Sequence, residues 1–279
     1  MALIGGIDHV VVIVRDLDRA LRGMERLGFA PTPRGGHPVL GTGNHTVMLG
    51  DSTYFETMGI ERPGPHVARY AEFLARREGI GAIALKTDDA RAVHASFSGP
   101  PLHASPALDF ARPVDLPGGR VEARFTLSQL DPAATPGASV FACQHHTPEV
   151  VWRPDMLAHP NGATGLAFAT IVVDDPRAAA AIYARIWPGP ARHEDGLAEI
   201  RTGTCNLRLV SPARFAAANP GDPLLALPAP FCAEIGVRVR SRDAVAALLA
   251  AAGVAHRRGA DGAVAVASGE GCGAAFKFC

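Results

Sequence analysis

Gly6-Ile7-Asp8-His9-Val10-Val11-Val12-Ile13-Val14-Arg15-Asp16 carries an apolar, β-branched run straight into an acidic turn. The run reads as a buried strand. Asp16 can cap the helix that follows, whose Leu17, Ala20, Leu21, Met24 and Leu27 fall along one face until Gly28 stops it. The pattern begins again near Ile80, Leu166 and Ile235, turning at Asp88-Asp89, Asp174-Asp175-Pro176 and Arg242-Asp243. Such repetition fixes architecture before any residue is given a chemical role. It also makes the copies comparable: His9 stands where Ala82, Phe168 and Gly236 stand in the other three.

After its helix, the first copy passes a loop bearing Gly35-Gly36-His37-Pro38 and reaches strands at 44–49 and 52–58, joined by a turn at Gly50-Asp51. A helical insert at 67–77 leads to the second copy: strand 80–87, helix 90–97, proline-rich loops, and strands 121–130 and 139–145. Residues 148–163, with Pro148, Pro154, Pro160 and Asn161-Gly162, connect the halves. Helices at 176–186 and 243–252 and strands at 197–201, 206–210, 263–267 and 274–278 complete the third and fourth copies. A lone β-α-β-β-β unit leaves one sheet face bare, so the units must pair. The expected fold class is α+β, with paired units forming tandem modules at 1–150 and 163–279.

A chain of 279 residues is long enough for two such cores. No stretch is long and apolar enough to span a membrane. A formal net charge of zero, with no basic run, argues against nucleic acid as the main partner. The opening residues lack a basic region and an apolar signal core, so no export signal is read. Five cysteines, Cys143, Cys205, Cys232, Cys272 and Cys279, form no CxxC pair, which points to reduced thiols in the cytoplasm. Cys143 and Cys205 sit in strand-like segments, where a free cysteine is usually a small hydrophobe. The expected partner is a small molecule; sheet edges and spare apolar faces leave room for a homodimer.

Asp8-His9, Leu27-Gly28-Phe29, Gly36-His37-Pro38 and Tyr54-Phe55-Glu56, set in paired β-α-β-β-β units, resemble the vicinal oxygen chelate superfamily, specifically its glyoxalase-like branch. That group includes glyoxalase I, extradiol dioxygenases and bleomycin-resistance proteins. The resemblance implies that two units form a cupped sheet around a divalent metal, held from the first and last strand of each unit. Carried onto this chain, those positions are His9, Glu56, Ala82, and one residue within Gln144-His145-His146. Ala82 cannot ligate. The second module offers Phe168, Arg208 or Leu209, and Gly236 at the matching places, which implies a metal-free support, pocket wall or dimer surface.

Two imidazoles and a carboxylate with open positions suit Zn, Fe, Mn, Ni or Co and leave room for substrate oxygens. His9, Glu56 and either His145 or His146 fit that set, since adjacent strand residues face opposite sides and only one of the pair can enter the cup. Glu56 interrupts an apolar strand, and a buried carboxylate needs a metal, an arginine or water. Arg124 could anchor a substrate carboxylate, His37 could form the pocket lip, and Trp152 could cover its mouth. The resulting expectation is a metal-dependent lyase or isomerase acting on a vicinally oxygenated substrate, with Glu56 as ligand or shuttling base. The rival is a metal-free sequestration protein; ring-cleaving dioxygenation would need a second histidine where Ala82 lies.

Overall fold

The computed structural model describes residues 3–116 and 119–279; Met1 and Ala2, where the reading for an export signal began, lie outside the described residues. In the first half, β1 (Gly6–Ile13) and α1 (Leu17–Arg26) lead to β2 (Gly35–His37), β3 (Thr42–Met48) and β4 (Tyr54–Ile60). Then come α2 (Ala68–Arg76), β5 (Gly79–Lys86), α3 (Ala90–Phe97), β6 (Leu108–Leu116), β7 (Gly119–Gln129) and β8 (Ser139–His145). After α4 (Pro148–Val151), the second half runs β9 (Ala163–Val172), α5 (Pro176–Tyr183), β10 (Arg192–Glu194), β11 (Leu197–Arg201) and β12 (Asn206–Val210). It ends with α6 (Pro212–Ala218), β13 (Phe231–Val239), α7 (Arg242–Ala251), β14 (His256–Arg258), β15 (Val264–Val266) and β16 (Ala275–Phe278).

Two eight-stranded sheets result, ordered β2-β3-β4-β1-β5-β8-β7-β6 and β10-β11-β12-β9-β13-β16-β15-β14. Strand for strand, the two orders are the same. In each, the opening strands of two repeats pair antiparallel at the centre, and each sheet curves into a cup around that seam. One reading of the sequence changes: the proline-rich stretch after α3 contains β6, with Pro113 inside it. β6 is an edge strand, where the missing proline N–H costs no ladder bond.

The faces turned away from the cups share one core. Val10, Val12 and Phe55 of the first sheet pack in the same apolar cluster as Ile171, Ile235 and Phe276 of the second, with Ala20, Met24, Val245 and Leu249 of the helices. Phe276 lies 5.7 Å from Phe29 and 5.4 Å from Phe55, ring centroid to centroid. Among the described residues no helix is long and apolar enough to cross a membrane.

A bulge recurs in all four repeats. Between β1 and β5 the register slips after Ile7, leaving Asp8 as an extra residue before His9, and again after Val11, leaving Gly81 as an extra residue before Ala82. Between β9 and β13 the matching extra residues are Ala167 before Phe168 and Ala233 before Glu234, and a third slip leaves Thr164 extra. A bulge turns the extra side chain out of simple alternation. Three copies carry glycine or alanine there, and only the first carries a functional group.

Candidate metal centre and the cup around it

The bulges give the correspondence between repeats directly. Exchanging β1 and β5 about the Val10–Ile83 pair maps His9 onto Ala82 and Val11 onto Ala84. Glu56 pairs with Val11, and Phe141 pairs with Ala84. The four inner positions of the first cup are therefore His9, Glu56, Ala82 and Phe141. The sequence reading placed the last of these within Gln144-His145-His146; the ladder moves it to Phe141, an aromatic residue that cannot ligate.

The donors gather elsewhere. Asp8, His9, Cys143 and His145 each bring a ligand atom within 4.8 Å of the others. Plain alternation from Ile7, which lies in the shared core, sends one of Asp8 and His9 away from the cup; the bulge puts both on its side. His9 Nδ1–H donates to Asp8 Oδ1 at 2.7 Å, and His145 Nε2–H donates to the same oxygen at 3.1 Å. Cys143 Sγ lies 3.6 Å from His145 Nε2. Burial pushes the Asp8 carboxyl up, but the charges and hydrogen bonds of His145 and then His9 overcome it and hold it well below the usual carboxylate range. The Cys143 thiol is pushed far up, by burial first and then by Asp8 and Glu56.

The same place collects orphaned polar atoms. Asp8 Oδ2, His145 Nδ1 and Trp152 Nε1 are buried without a hydrogen-bond partner. Buried polar groups are seldom left so. A carboxylate, two imidazoles and a thiol with a free carboxylate oxygen suit a divalent transition metal. The residues present fit one.

Glu56 stays outside this group. Its Oε2 accepts from Asn44 Nδ2, and its Oε1 lies 3.9 Å from His9 Nε2. Tyr54 stacks on His9 with centroids 4.1 Å apart, and its hydroxyl is 3.4 Å from His9 Nε2. Burial raises the Tyr54 pKa well above the ordinary phenol value, so the hydroxyl keeps its proton. His37 lines the same interior beside Glu56 and Arg112 and bonds Thr42 Oγ1 at 2.9 Å. The interior space is about 60 Å³.

Several sequence expectations move. His146 faces away from the cup and donates to Thr126 Oγ1 at 2.7 Å, so His145 is the member that enters. Arg124 is exposed and alternates with the cup-facing Ala123 and Phe125, so it cannot anchor a substrate there. Its cross-strand neighbour pair supplies the arginine instead: Arg112 sits opposite Ala123 and lines the cup. Trp152 packs on His145 at 4.7 Å and walls a neighbouring cavity of about 420 Å³ with Asp8, Lys86 and His145, rather than covering the mouth of the inner space. Cys143, read as a small hydrophobe, stands in the candidate donor group. His159, read as a loop residue, is buried, accepting from Ala30 N–H at 3.1 Å and donating to Met48 O at 2.8 Å.

His37 gives the cup a pH signature. Burial, which the Glu56 charge only partly offsets, lowers its pKa from 6.5 to about 4. The unfolded chain therefore binds more protons between those values, and stability falls as pH drops through the window. The loss is up to about 3 kcal/mol. Urea unfolding from pH 7 to 4 is expected to show a shallower decline for His37→Gln than for wild type. Parallel declines would remove His37 as the cause.

The sequence matches the glyoxalase-like domain family over residues 7–187. No curated protein matches it. Among solved structures, a hypothetical protein from Staphylococcus aureus aligns at 11% identity over 98% of both chains with a TM-score of 0.68. A Mn(II)-bound glyoxalase from Novosphingobium aromaticivorans aligns at 12% identity over 100% of this chain and 82% of its own, TM-score 0.60. A mutant 4-hydroxymandelate synthase from Streptomyces coelicolor aligns at 16% identity over 92% of this chain and 77% of its own, TM-score 0.59. At these identities the structural likeness speaks for the fold. The family match covers well over half of the chain, and with the doubled, cupped sheets it makes this protein a member of the glyoxalase-like family within the vicinal oxygen chelate superfamily.

Proposed function

We propose that the first cup is the active site of a metal-dependent isomerase or lyase that removes a proton from a small, anionic, vicinally oxygenated substrate. The observation that carries this is the convergence of Asp8, His9, Cys143 and His145 beside a separate buried carboxylate, Glu56. The four donors would hold the metal, and its binding would take the proton from the Cys143 thiol. Bound there, a divalent ion supplies Lewis-acid polarisation of substrate oxygens.

The remaining steps belong to the chain. Asn44 fixes one Glu56 oxygen and leaves the other turned toward His9, which suits Glu56 to take a proton from the substrate carbon and return it. Tyr54 donates its hydroxyl proton as a hydrogen bond and does not ionise. Arg112 pairs with a substrate carboxylate. The interior of about 60 Å³ holds a molecule of a few heavy atoms, since a water needs roughly 10–15 Å³ of such space.

The test is exchange of substrate C–H protons in D₂O, followed by NMR over three- and four-carbon hydroxy-ketones and 2-oxo acids, alongside elemental analysis of the purified chain. Metal-dependent exchange is expected, with Glu56→Gln slower by about 10²–10⁴-fold at unchanged metal content. Exchange at wild-type rate in Glu56→Gln, or a chain that binds no divalent metal, would refute this mechanism. Arg112→Ala is expected to raise KM by about tenfold or more for acidic substrates and leave uncharged ones unaffected. Equal effects on both classes would remove the anchoring role.

A further inference from the structure

The second cup is built on the same frame but places cations at two of its inner positions. Exchanging β9 and β13 about the Ala169–Ile235 pair makes Phe168 the counterpart of His9 and Glu234 the counterpart of Ala82. Glu234 thus replaces the Gly236 of the sequence reading, two positions earlier. Arg208 pairs with Thr170 and so takes the place of Glu56; Lys277 pairs with Gly236 and takes the place of Phe141. Two cations, a carboxyl and an aromatic ring stand at the four inner positions.

Arg208, Lys277 and Glu234 line a cavity of about 520 Å³, and the Phe168 ring lies buried beneath Arg208. The Arg208 guanidinium lies over the Phe168 ring at 3.7 Å, and its Nε donates to Glu199 at 2.6 Å. That leaves the terminal nitrogens of its fork for another acceptor. Lys277 Nζ is held by Asp261 at 2.8 Å and has two further protons to donate. Glu234 is 7% exposed, lines the cavity and accepts from Thr170 Oγ1 at 3.2 Å. No arginine or lysine among the described residues forms an ion pair with it.

We propose that the second cup is a metal-independent binding site for a small carboxylate, with Arg208 and Lys277 supplying the positive charge that a metal would supply in the first. The ligand carboxylate takes the free donors of Arg208 and Lys277. Glu234 faces a second ligand oxygen; burial raises its pKa, and the charges of Lys277 and Arg208 work against that rise. A 2-oxo or 2-hydroxy acid presents that pattern: a carboxylate with an adjacent oxygen. The cup therefore faces two neighbouring oxygens with two cations and the Glu234 carboxyl.

The full chain, kept in EDTA so that the first cup is metal-free, is titrated calorimetrically with pyruvate, lactate and acetate, and with pyruvamide as the uncharged control. Saturable binding of pyruvate or lactate at one site per chain is expected, with acetate weaker and pyruvamide silent. Arg208→Gln and Lys277→Gln should each weaken it by about tenfold or more. The first-cup variant His145→Ala should bind as wild type does. No saturable binding of any acid to the wild-type chain overturns the proposal whatever the variants do. So does binding that survives in the Arg208→Gln, Lys277→Gln double variant, or binding lost in His145→Ala.

Discussion

An Asp8→Ala variant is expected to lose its divalent metal while keeping its fold. The carboxylate is fully buried, accepts from both His9 and His145 through one oxygen, and leaves the other oxygen without a partner. Removing it takes away a ligand and the group that orients two more. Orienting partners alone are worth about 10–100-fold in metal affinity, so the loss of a ligand should reach roughly 100-fold or more. The backbone should tolerate the change, because alanine is what the third and fourth repeats carry at the same bulge, Ala167 and Ala233. Chelator competition and elemental analysis read the affinity, and circular dichroism reads the fold. Stoichiometric metal in Asp8→Ala would take Asp8 out of the centre and favour His9 together with Glu56.

The second large effect concerns the shared core. Phe276→Ala removes a fully buried ring that packs against Phe29 and Phe55 across the two sheets, and should destabilise the chain by about 3–5 kcal/mol. More telling is where the loss is felt. The chain has two tryptophans, Trp152 beside the first cup and Trp187 in the second half. In a Trp187→Phe background, Trp152 reports the first half alone. Its denaturation midpoint should fall with Phe276→Ala, although residue 276 belongs to the other sheet. An unmoved midpoint would mean that the halves unfold independently and that their contact adds little.

The repeats were legible because four apolar strands end in four capped helices, a local pattern that tertiary packing did not override. His9 and Glu56 stood out by the same route, each a polar residue in a buried strand. Asp8 did not, although it sits beside His9. Strict alternation sends one of two neighbours to the far face, and nothing in Ile7-Asp8-His9-Val10 announces a bulge. Arg112 was hidden by Pro113, which makes its segment read as loop when it is an edge strand. Arg124 was chosen in its stead from the right strand with the wrong parity. The choice between His145 and His146 depended on ladder register, a long-range property that no spacing within Gln144-His145-His146 encodes. Cys143 looked like packing, and burial alone would have left it so; the carboxylate and imidazoles around it change its meaning.

The recurring bulge separates the place of chemistry from its kind. Its backbone persists in four strands while the residues upon it change from Asp8-His9 to Gly81-Ala82, Ala167-Phe168 and Ala233-Glu234. It works as a socket: main-chain geometry aims whatever side chains it is given at the floor of a cup. Rewriting a cup then becomes a matter of clearing space as much as choosing donors. At Gly81 an added Cβ would meet Ile13 Cδ1 at 2.4 Å, so the second socket of the first cup is closed by a neighbour rather than by its own backbone. Trimming Ile13 would reopen it, and the same sheet could then receive a second aspartate–histidine pair facing the first.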